Sequence, residues 1–364
     1  MKVVVVGAGY AGMIAANRLA RQVREVEITV INPRPDFVPR VRLHQHIAGT
    51  GDIAAPIASL LREGITARVG NVDKIADGAV VLHDGEQLTF DYAFLAVGST
   101  VRPLPGTIPV GVWESAERAR TACAALPAGA LVTVVGGGPT GIETAAEIAA
   151  ARTDLRVRIV GSSVAGSFSA GARGRIRAGL QRLRVDIVDD GVTKVVAGEG
   201  ESGGIVHLRS GRSFASDLTL WAMVSGVPDL AARSGLAVNQ EGRALVDEFL
   251  RSVTDERIFA VGDCAAVPGA RFACQTAGPQ GAHAADTLAR IIKGRKPKPY
   301  SMGYVGVGVS LGRKDAVVQL TRRDDTPRRA YLAAGTAVLL KEAACRGAEY
   351  GARPRARGRV AGAQ

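Results

Sequence analysis

Lys2–Gly12 reads KVVVVGAGYAG, and Leu131–Gly141 reads LVTVVGGGPTG. Each is an apolar run of strand length, then Gly-x-Gly-x-x-Gly, then a segment that opens a helix: Met13–Leu19 in one case, Ile142–Ala151 in the other. Gly7, Gly9 and Gly12 serve a tight turn, close approach of backbone to a pyrophosphate, and helix–strand packing. Gly136, Gly138 and Gly141 repeat the set. The chain holds 45 glycines, so on the order of one such motif would arise by chance, and the strand–loop–helix context must carry the inference. Found twice, it argues for an α/β chain with two Rossmann-like three-layer domains and two dinucleotide sites.

Downstream of the first motif, Glu27–Ile31 reads as a second strand. A carboxylate that holds a ribose usually follows such a strand; here Asn32 stands in its place and can still hydrogen-bond a ribose. Residues 32–46, NPRPDFVPRVRLHQH, form a proline-marked loop leading to a helix. Arg40 and Arg42 in it face either a pyrophosphate or solvent. His44 is a candidate proton donor to a reduced substrate, the alternative being a hydrogen-bonded structural histidine. Val69–Val72 and Ala79–His83 read as short strands, with Asn71 and Val72 offering backbone groups to an adenine ring. Asp91–Ser99 is a buried strand whose small residues, Ala96 and Gly98 among them, suit packing against a large flat cofactor.

Around the second motif, Ser115–Leu126 is helical in pattern. Thr140 lies within the loop, and Glu143 follows Gly141 on the first helical turn. Glu143 either contacts a nicotinamide carboxamide or complements the helix dipole. The strand Arg156–Val160 runs into Gly161-Ser162-Ser163, with no acid to favour a ribose 2′-hydroxyl; Ser162 is the candidate contact. Arg173 and Arg175 are candidates for a 2′-phosphate. Strands follow at Val185–Val188, Thr193–Val196 and Ile205–Leu208, with Gly198–Gly204 as a hairpin loop. Leu218–Ala222 is another apolar strand, and Gly226 lies on its exit.

Ile258–Gly281 reads IFAVGDCAAVPGARFACQTAGPQG. An apolar strand runs into Gly262-Asp263, and a helix opens near Thr276–Gln280, with Pro279 in its first turn. Asp263 can accept from sugar hydroxyls. The helix's positive end, at Thr276 and Ala277, can stabilise a ring that gains electrons. Beyond it, Tyr304–Val309 and Ala316–Leu320 form a hairpin. Tyr331, Leu332, Val338 and Leu339 fall on one helical face, which packs on the chain's own core or on a membrane.

The 364 residues carry 47% hydrophobic residues and a net charge of +12, much of it arginine spread along the chain. Arg353, Arg355, Arg357 and Arg359 cluster in a tail that reads as disordered or as drawn to an anionic membrane. No aromatic residues interleave with it, which speaks against nucleic acid. The four cysteines form no C-x-x-C pair, so no redox dithiol, metal site or disulfide framework is expected. The apolar run at the start stops at Gly7, and no run reaches membrane-spanning length. A cytoplasmic protein is expected, with peripheral contact on the inner membrane face as the alternative.

Together, Gly7/Gly9/Gly12, Leu95–Ser99, Gly136/Gly138/Gly141 with Glu143, Leu220–Gly226 and Ile258–Asp263 resemble, in order, the two-dinucleotide-binding-domain flavoproteins, the pyridine nucleotide–disulfide oxidoreductase superfamily. The resemblance implies FAD in the first domain and NADH or NADPH in the second. It implies a discontinuous FAD domain at 1–112 and 245–300, an inserted nicotinamide domain at 113–244, a hairpin and helix at 301–350, and a disordered basic tail at 351–364. The chain looks most like the type II NADH dehydrogenase branch, with its relatives among the ferroptosis-suppressor and apoptosis-inducing-factor reductases, which lacks a dithiol beside the flavin. That branch carries A-Q-x-A-x-Q-Q-G near its quinone site; this chain matches at Gln275, Ala277, Gln280 and Gly281 and departs at Cys274 and Pro279. The resemblance thus implies a quinone-like acceptor, hydrogen-bonded by Gln280 or His44. A pathway metabolite, a small iron–sulfur protein, or a non-catalytic flavin-bound role are the alternatives. For Cys264 and Cys274, a buried small hydrophobe is the default.

Overall fold

The computed structural model describes residues 1–51, 53–198 and 203–352. Val3, Val4, Val5 and Val6 are buried on both faces, as expected of a central parallel strand. Lys2–Val6 lies between Glu27–Asn32 and Tyr92–Leu95, with Ile65–Val69 at one edge and Ile258–Ala260 at the other, all parallel. Leu131–Val135 is the centre of a second parallel sheet, between Arg156–Gly161 and Leu218–Trp221, with Val185–Asp189 and Ile108–Pro109 outermost. The chain therefore leaves the first sheet, builds the second, and returns to the first at Ile258.

Nine helices are used below: α1 (Tyr10–Gln22), α2 (Leu43–Ile47), α3 (Ile57–Leu60), α4 (Trp113–Ala125), α5 (Pro139–Ala151), α6 (Ala170–Arg182), α7 (Leu230–Arg233), α8 (Cys274–Ile292) and α9 (Ala334–Ala352). α1 and α8 cover the first sheet, and their contact is tight. A Cβ on Gly281 would sit 2.2 Å from the Ala11 carbonyl oxygen. Among the described residues, three antiparallel three-stranded sheets and one two-stranded pair, Asp36–Phe37 with Ala55–Pro56, complete the fold; one of the three is Gly306–Ser310, Ala316–Thr321 and Pro327–Ala333 near the C-terminus.

Several expectations change. Val69–Val72 is not one strand: Ile65–Val69 ends before Gly70-Asn71 and Val72–Ala76 begins a different sheet. Tyr331 and Leu332 do not share a helical face with Val338 and Leu339. They belong to the strand Pro327–Ala333, paired to Val318 and Gln319, and α9 starts only at Ala334, with φ +58° at the junction. Pro279 falls in the second turn of α8, not the first, because the helix opens earlier, at Cys274. Gly351 and Ala352 close α9, and the Ala352 carbonyl accepts from the buried Asn17 amide at 2.7 Å; residues 353–364, including the arginine cluster, lie outside the described residues, as do residues 199–202 of the Gly198–Gly204 loop.

The cores also cross the expected segment limits. Leu43, Ile47 and Ile108, all before residue 112, pack with the second sheet, while Val227, Leu230 and Leu236 pack with the first.

Gly281→Ala forces a methyl group into backbone that belongs to another helix. It is expected to cost about 1–3 kcal/mol, seen as a lower denaturation midpoint, while Gly85→Ala, at an open surface turn, serves as the comparison for ordinary left-handed glycine strain.

Candidate functional site: two nucleotide cradles and a buried polar cluster

At the carboxyl end of Lys2–Val6 the backbone turns at Gly7, with φ +105°, and a Cβ there would lie 2.5 Å from the Ala96 oxygen. A Cβ on Gly12 would lie 1.9 Å from the Gly7 oxygen, so α1 starts hard against the turn. Gly9 differs: no atom lies within 4 Å of its would-be Cβ. It is the N-cap of α1 and no side chain caps the helix. Free N–H groups beside open space are what a pyrophosphate requires.

The second motif repeats this arrangement. Gly136 has φ +131°, and a Cβ there would be 3.0 Å from the Ala222 oxygen. Gly141 would place one 1.8 Å from the Gly136 oxygen, and Gly138 again faces nothing within 4 Å. α5 is likewise uncapped by any side chain, and exposed Thr140 lies on its first turn.

Around the first cradle, Asn32 holds the glycine turn in place. Its Oδ1 accepts from Ala8 N at 3.1 Å and its Nδ2 donates to the Arg34 oxygen at 2.8 Å. Arg40 donates to the Ser99 oxygen and Oγ, both at 3.1 Å; Ser99 Oγ donates to Asp263 at 2.7 Å, and Asp263 accepts from Ala273 N at 3.1 Å. This chain links Gly98-Ser99, Asp263 and the start of α8. Thr276 is buried there, its hydroxyl on the Ala273 oxygen, and Ala277 lies against Gly262, which has φ +80°. Val72 starts the strand that pairs with Leu82, two residues beyond Gly70, whose N–H donates to the Asn32 oxygen at 2.9 Å. Ser162 is exposed beside the second cradle, and the Gly226 oxygen accepts from Thr100 N at 2.9 Å, tying the exits of the two sheets together.

Three expected site residues sit elsewhere. Gln280 is fully buried and its Oε1 accepts from Gly262 N at 2.6 Å. It positions the Gly262-Asp263 turn through that oxygen, while its Nε2 is buried without a partner. Arg42 does not face a pyrophosphate: its guanidinium is held between Glu342, at 2.8 Å, and Glu349 of α9. Glu143 does not stand free at the helix start. It is buried, and one carboxylate oxygen accepts from Ser310 N at 3.0 Å, Ser310 Oγ at 2.9 Å and Lys341 Nζ at 2.6 Å.

These last contacts outline a second feature. His44 is buried in α2, its Nε2 without a partner. Buried Glu147 accepts from Arg313 at 2.9 Å and from Thr50 Oγ1 at 2.5 Å. Gln45 accepts from Arg313 and from Arg42, the nearest approach being 3.1 Å. A cavity of about 230 Å³ is lined by Arg42, Gln45, Ser310, Arg313, Lys341 and Cys345. Burial by itself would raise the Glu143 carboxyl, but the Lys341 ammonium and the Ser310 N–H outweigh it and hold it below the usual range. Burial would lower Lys341, but Glu143 keeps it above its ordinary value. Burial holds His44 below its ordinary value, so it stays neutral near pH 7.

The model of the family described as pyridine nucleotide-disulphide oxidoreductase matches residues 1–288. The chain belongs to that family. It is 31% identical over 303 residues to an NADH dehydrogenase-like protein of Mycobacterium tuberculosis, covering 73% of each chain. It is 26% identical over 343 residues to human ferroptosis suppressor protein 1, covering 88% of this chain and 89% of the relative. Among solved structures, the sulfide:quinone oxidoreductase of Aquifex aeolicus superposes with a TM-score of 0.78 at 19% identity, covering 97% of this chain and 91% of that one, a likeness of fold.

As a member of this family the protein is an FAD-dependent NAD(P)H oxidoreductase. The two open glycine cradles fit two dinucleotides. The family's namesake disulfide has no counterpart here: all four cysteines are free. Cys264 is buried with its Sγ 3.4 Å from the Leu95 and Val261 oxygens, and burial pushes the thiol up to about 11. Among the described residues, no helix is long and apolar enough to cross a membrane. Ser310, Arg313 and Lys341 are the members of these clusters that sequence reasoning missed, and Ser99, which ends the Leu95–Ser99 segment, was given no role there. No local motif marks the first three, and each becomes legible only through a partner far away in the chain.

The oxidoreductase family frame leaves two direct tests. Gly9→Ala adds a methyl group in open space, so the FAD-free protein should keep its melting temperature. The same variant should lose FAD on gel filtration more readily than the parent, because the cradle's open space is what it fills. The second test concerns α9. Arg42 lowers the Glu342 carboxyl from 4.5 to about 2. A depressed carboxylate stabilises fully above its unfolded value and loses that contribution as pH falls through the folded one. Protection of the 334–352 amides, measured against the unstructured chain at the same pH, should therefore fall between about pH 4.5 and 2, and Glu342→Gln should flatten that dependence.

Proposed function

We propose that this oxidoreductase passes two electrons from NAD(P)H to a quinone, and that the buried Glu143–Lys341–His44 cluster handles the accompanying proton. The observation that carries this reading is the cluster itself. A buried carboxylate–ammonium pair beside a neutral, unpartnered histidine is expensive to maintain, and such groups collect at reacting sites. NAD(P)H and a quinone give NAD(P)⁺ and a quinol with one proton drawn from solvent, since the other hydrogen arrives with the hydride. Bound FAD supplies the hydride acceptance and the onward delivery of electrons.

The chain's residues do the rest. The two cradles hold the nucleotides, and catalysis of the hydride step is positioning, with reacting atoms about 3–3.5 Å apart. Gln275, on the first turn of α8, donates to the Gly306 oxygen at 2.9 Å and accepts from Val305 N at 3.2 Å. Ser310, at the far end of that strand, holds Glu143. Four residues of strand span about 13 Å, so one rigid element connects the start of α8 to the proton-bearing pair. The Glu143–Lys341 pair shares a proton, and the adjoining cavity replaces it from solvent. Free, unpaired cysteines favour an acceptor that leaves with the electrons over a protein dithiol.

Val305 is 73% exposed and Leu339 is 75% exposed. Apolar side chains so placed, near Gln275 and on α9, suit an acceptor dissolved in lipid and a peripheral membrane position. Leu339→Glu should reduce co-sedimentation with anionic vesicles without altering bleaching of the flavin by NAD(P)H.

The acceptor is tested by anaerobic stopped flow. Reduced protein is mixed in turn with a short-chain ubiquinone, oxygen and ferredoxin, and the quinone should reoxidise it fastest. Glu143→Gln should slow reoxidation by quinone about 10²-fold or more, while reduction by NAD(P)H changes little. Equal losses in both halves, or ferredoxin outpacing quinone, would reject the proposal.

A further inference from the structure

We propose that the nicotinamide donor is NADPH in preference to NADH, and that Arg173 with Ser162 and Ser163 binds its 2′-phosphate. The inference rests on the NAD(P)H oxidoreductase assignment but not on the identity of the acceptor. In a doubly wound domain the adenosine ribose lies over the end of the strand next to the glycine loop, and a carboxylate there selects the free 2′-hydroxyl. That strand is Arg156–Gly161, and its last residue is a glycine.

The structure gives a reason for that glycine. A Cβ on Gly161 would lie 2.5 Å from Gly137 N and 2.8 Å from Gly137 Cα. Reciprocally, a Cβ on Gly137 would lie 2.9 Å from the Ser163 oxygen and from Val164 Cα. Ala165 N donates to the Gly137 oxygen at 2.9 Å. The loop after the strand is thus pressed against the glycine turn, and an aspartate or glutamate cannot occupy the strand's end. The next two residues, Ser162 and Ser163, are exposed hydroxyls. They can donate to phosphate oxygens and bring no negative charge.

Two acids, Asp189 and Asp190, close the neighbouring strand and follow it, and both are answered. Asp189, in register with Gly161, accepts from Val164 N at 2.8 Å and pairs with Arg177 at 2.8 Å. Asp190 accepts from Gly191 N at 2.7 Å and faces Arg212 at 3.9 Å. Arg173 is different. It leans over the same loop, donating from Nη2 to the Gly166 oxygen at 2.8 Å, while its Nε is buried with no partner. Of the two arginines the sequence offers for a 2′-phosphate, Arg175 is committed elsewhere: its Nη2 binds both oxygens of Asp315, at 2.7 and 2.8 Å, and its partnerless Nη1 is buried. That leaves Arg173, tied through Gly166 to the loop that carries the two serines, with its Nε unpartnered. A guanidinium binds an anion by charge-assisted hydrogen bonds roughly twice as strong as those to a neutral hydroxyl.

The test compares 2′,5′-ADP with 5′-AMP by calorimetry on the FAD-loaded protein; the two differ only by the 2′-phosphate. 2′,5′-ADP should bind at least tenfold more tightly, and kcat/KM for bleaching the flavin should favour NADPH over NADH by a similar factor. Arg173→Ala should erase most of the preference in both measurements, and Arg173→Lys should restore part of it. Ser162→Asp should turn the ratio toward NADH. Equal binding of the two ligands, or a preference that survives in folded Arg173→Ala, would overturn the proposal. Selective binding of 2′,5′-ADP together with failure of any quinone to reoxidise the protein would count against the acceptor and leave the donor assignment standing.

Discussion

A carbonyl oxygen sits, twice in this molecule, where a side chain would otherwise begin. The Gly7 oxygen lies 1.9 Å from the place of a Cβ on Gly12, and the Gly136 oxygen lies 1.8 Å from that of Gly141. Only glycine permits a helix to start so near the strand that feeds it. The consequence reaches beyond packing. With the helix drawn in, its first N–H groups converge on the open space at Gly9 and at Gly138, and a dinucleotide can lie there. The second cradle carries the same compression one strand further, to Gly161 against Gly137, and removes the room for a carboxylate. One steric constraint therefore opens a cradle at Gly138 and keeps a carboxylate from the end of the neighbouring strand.

The C-terminal region supplies what the cradles lack. Helix α9 and the strand Gly306–Ser310 bring Lys341, Ser310 and Arg313 onto α5 and α2, where Glu143, Glu147 and His44 wait in the interior. None of these charges is stable there alone. Each acid is met by a base from the C-terminal segment: Glu143 by Lys341, Glu147 by Arg313. In the other direction, Arg42 is met by Glu342 and Glu349. The cluster is thus a seam between chain segments 166 to 307 residues apart. Docking α9 and assembling the polar cavity are the same event.

The glycine turns, the buried strands and the order of the nucleotide-binding segments were all readable from the sequence. They depend on local geometry, on residues a few positions apart within one strand–turn–helix unit. The hairpin at Gly306–Thr321 was readable too, since alternation of apolar residues has a short period. The third strand of that sheet was missed because Tyr331 and Leu332 also fit a helical period when joined to Val338 and Leu339. The two readings are indistinguishable until the partner strand is in view. Gln280 and Arg42 were assigned to the nucleotide or acceptor from their neighbourhood in the chain. Their side chains turn to Gly262 and to α9 instead, a choice no spacing encodes.

By itself, then, the sequence determined the fold class, the two dinucleotide cradles and the absence of a paired-cysteine redox centre, because each follows from contacts within a short stretch or from composition. Tertiary structure alone decided that Arg175 is committed to Asp315 while Arg173 is held to the loop at Gly166, and that Glu143 belongs to a buried ion pair with Lys341. Those outcomes rest on where distant segments meet in space, and a side chain's partner across a domain seam leaves no periodic trace in the chain.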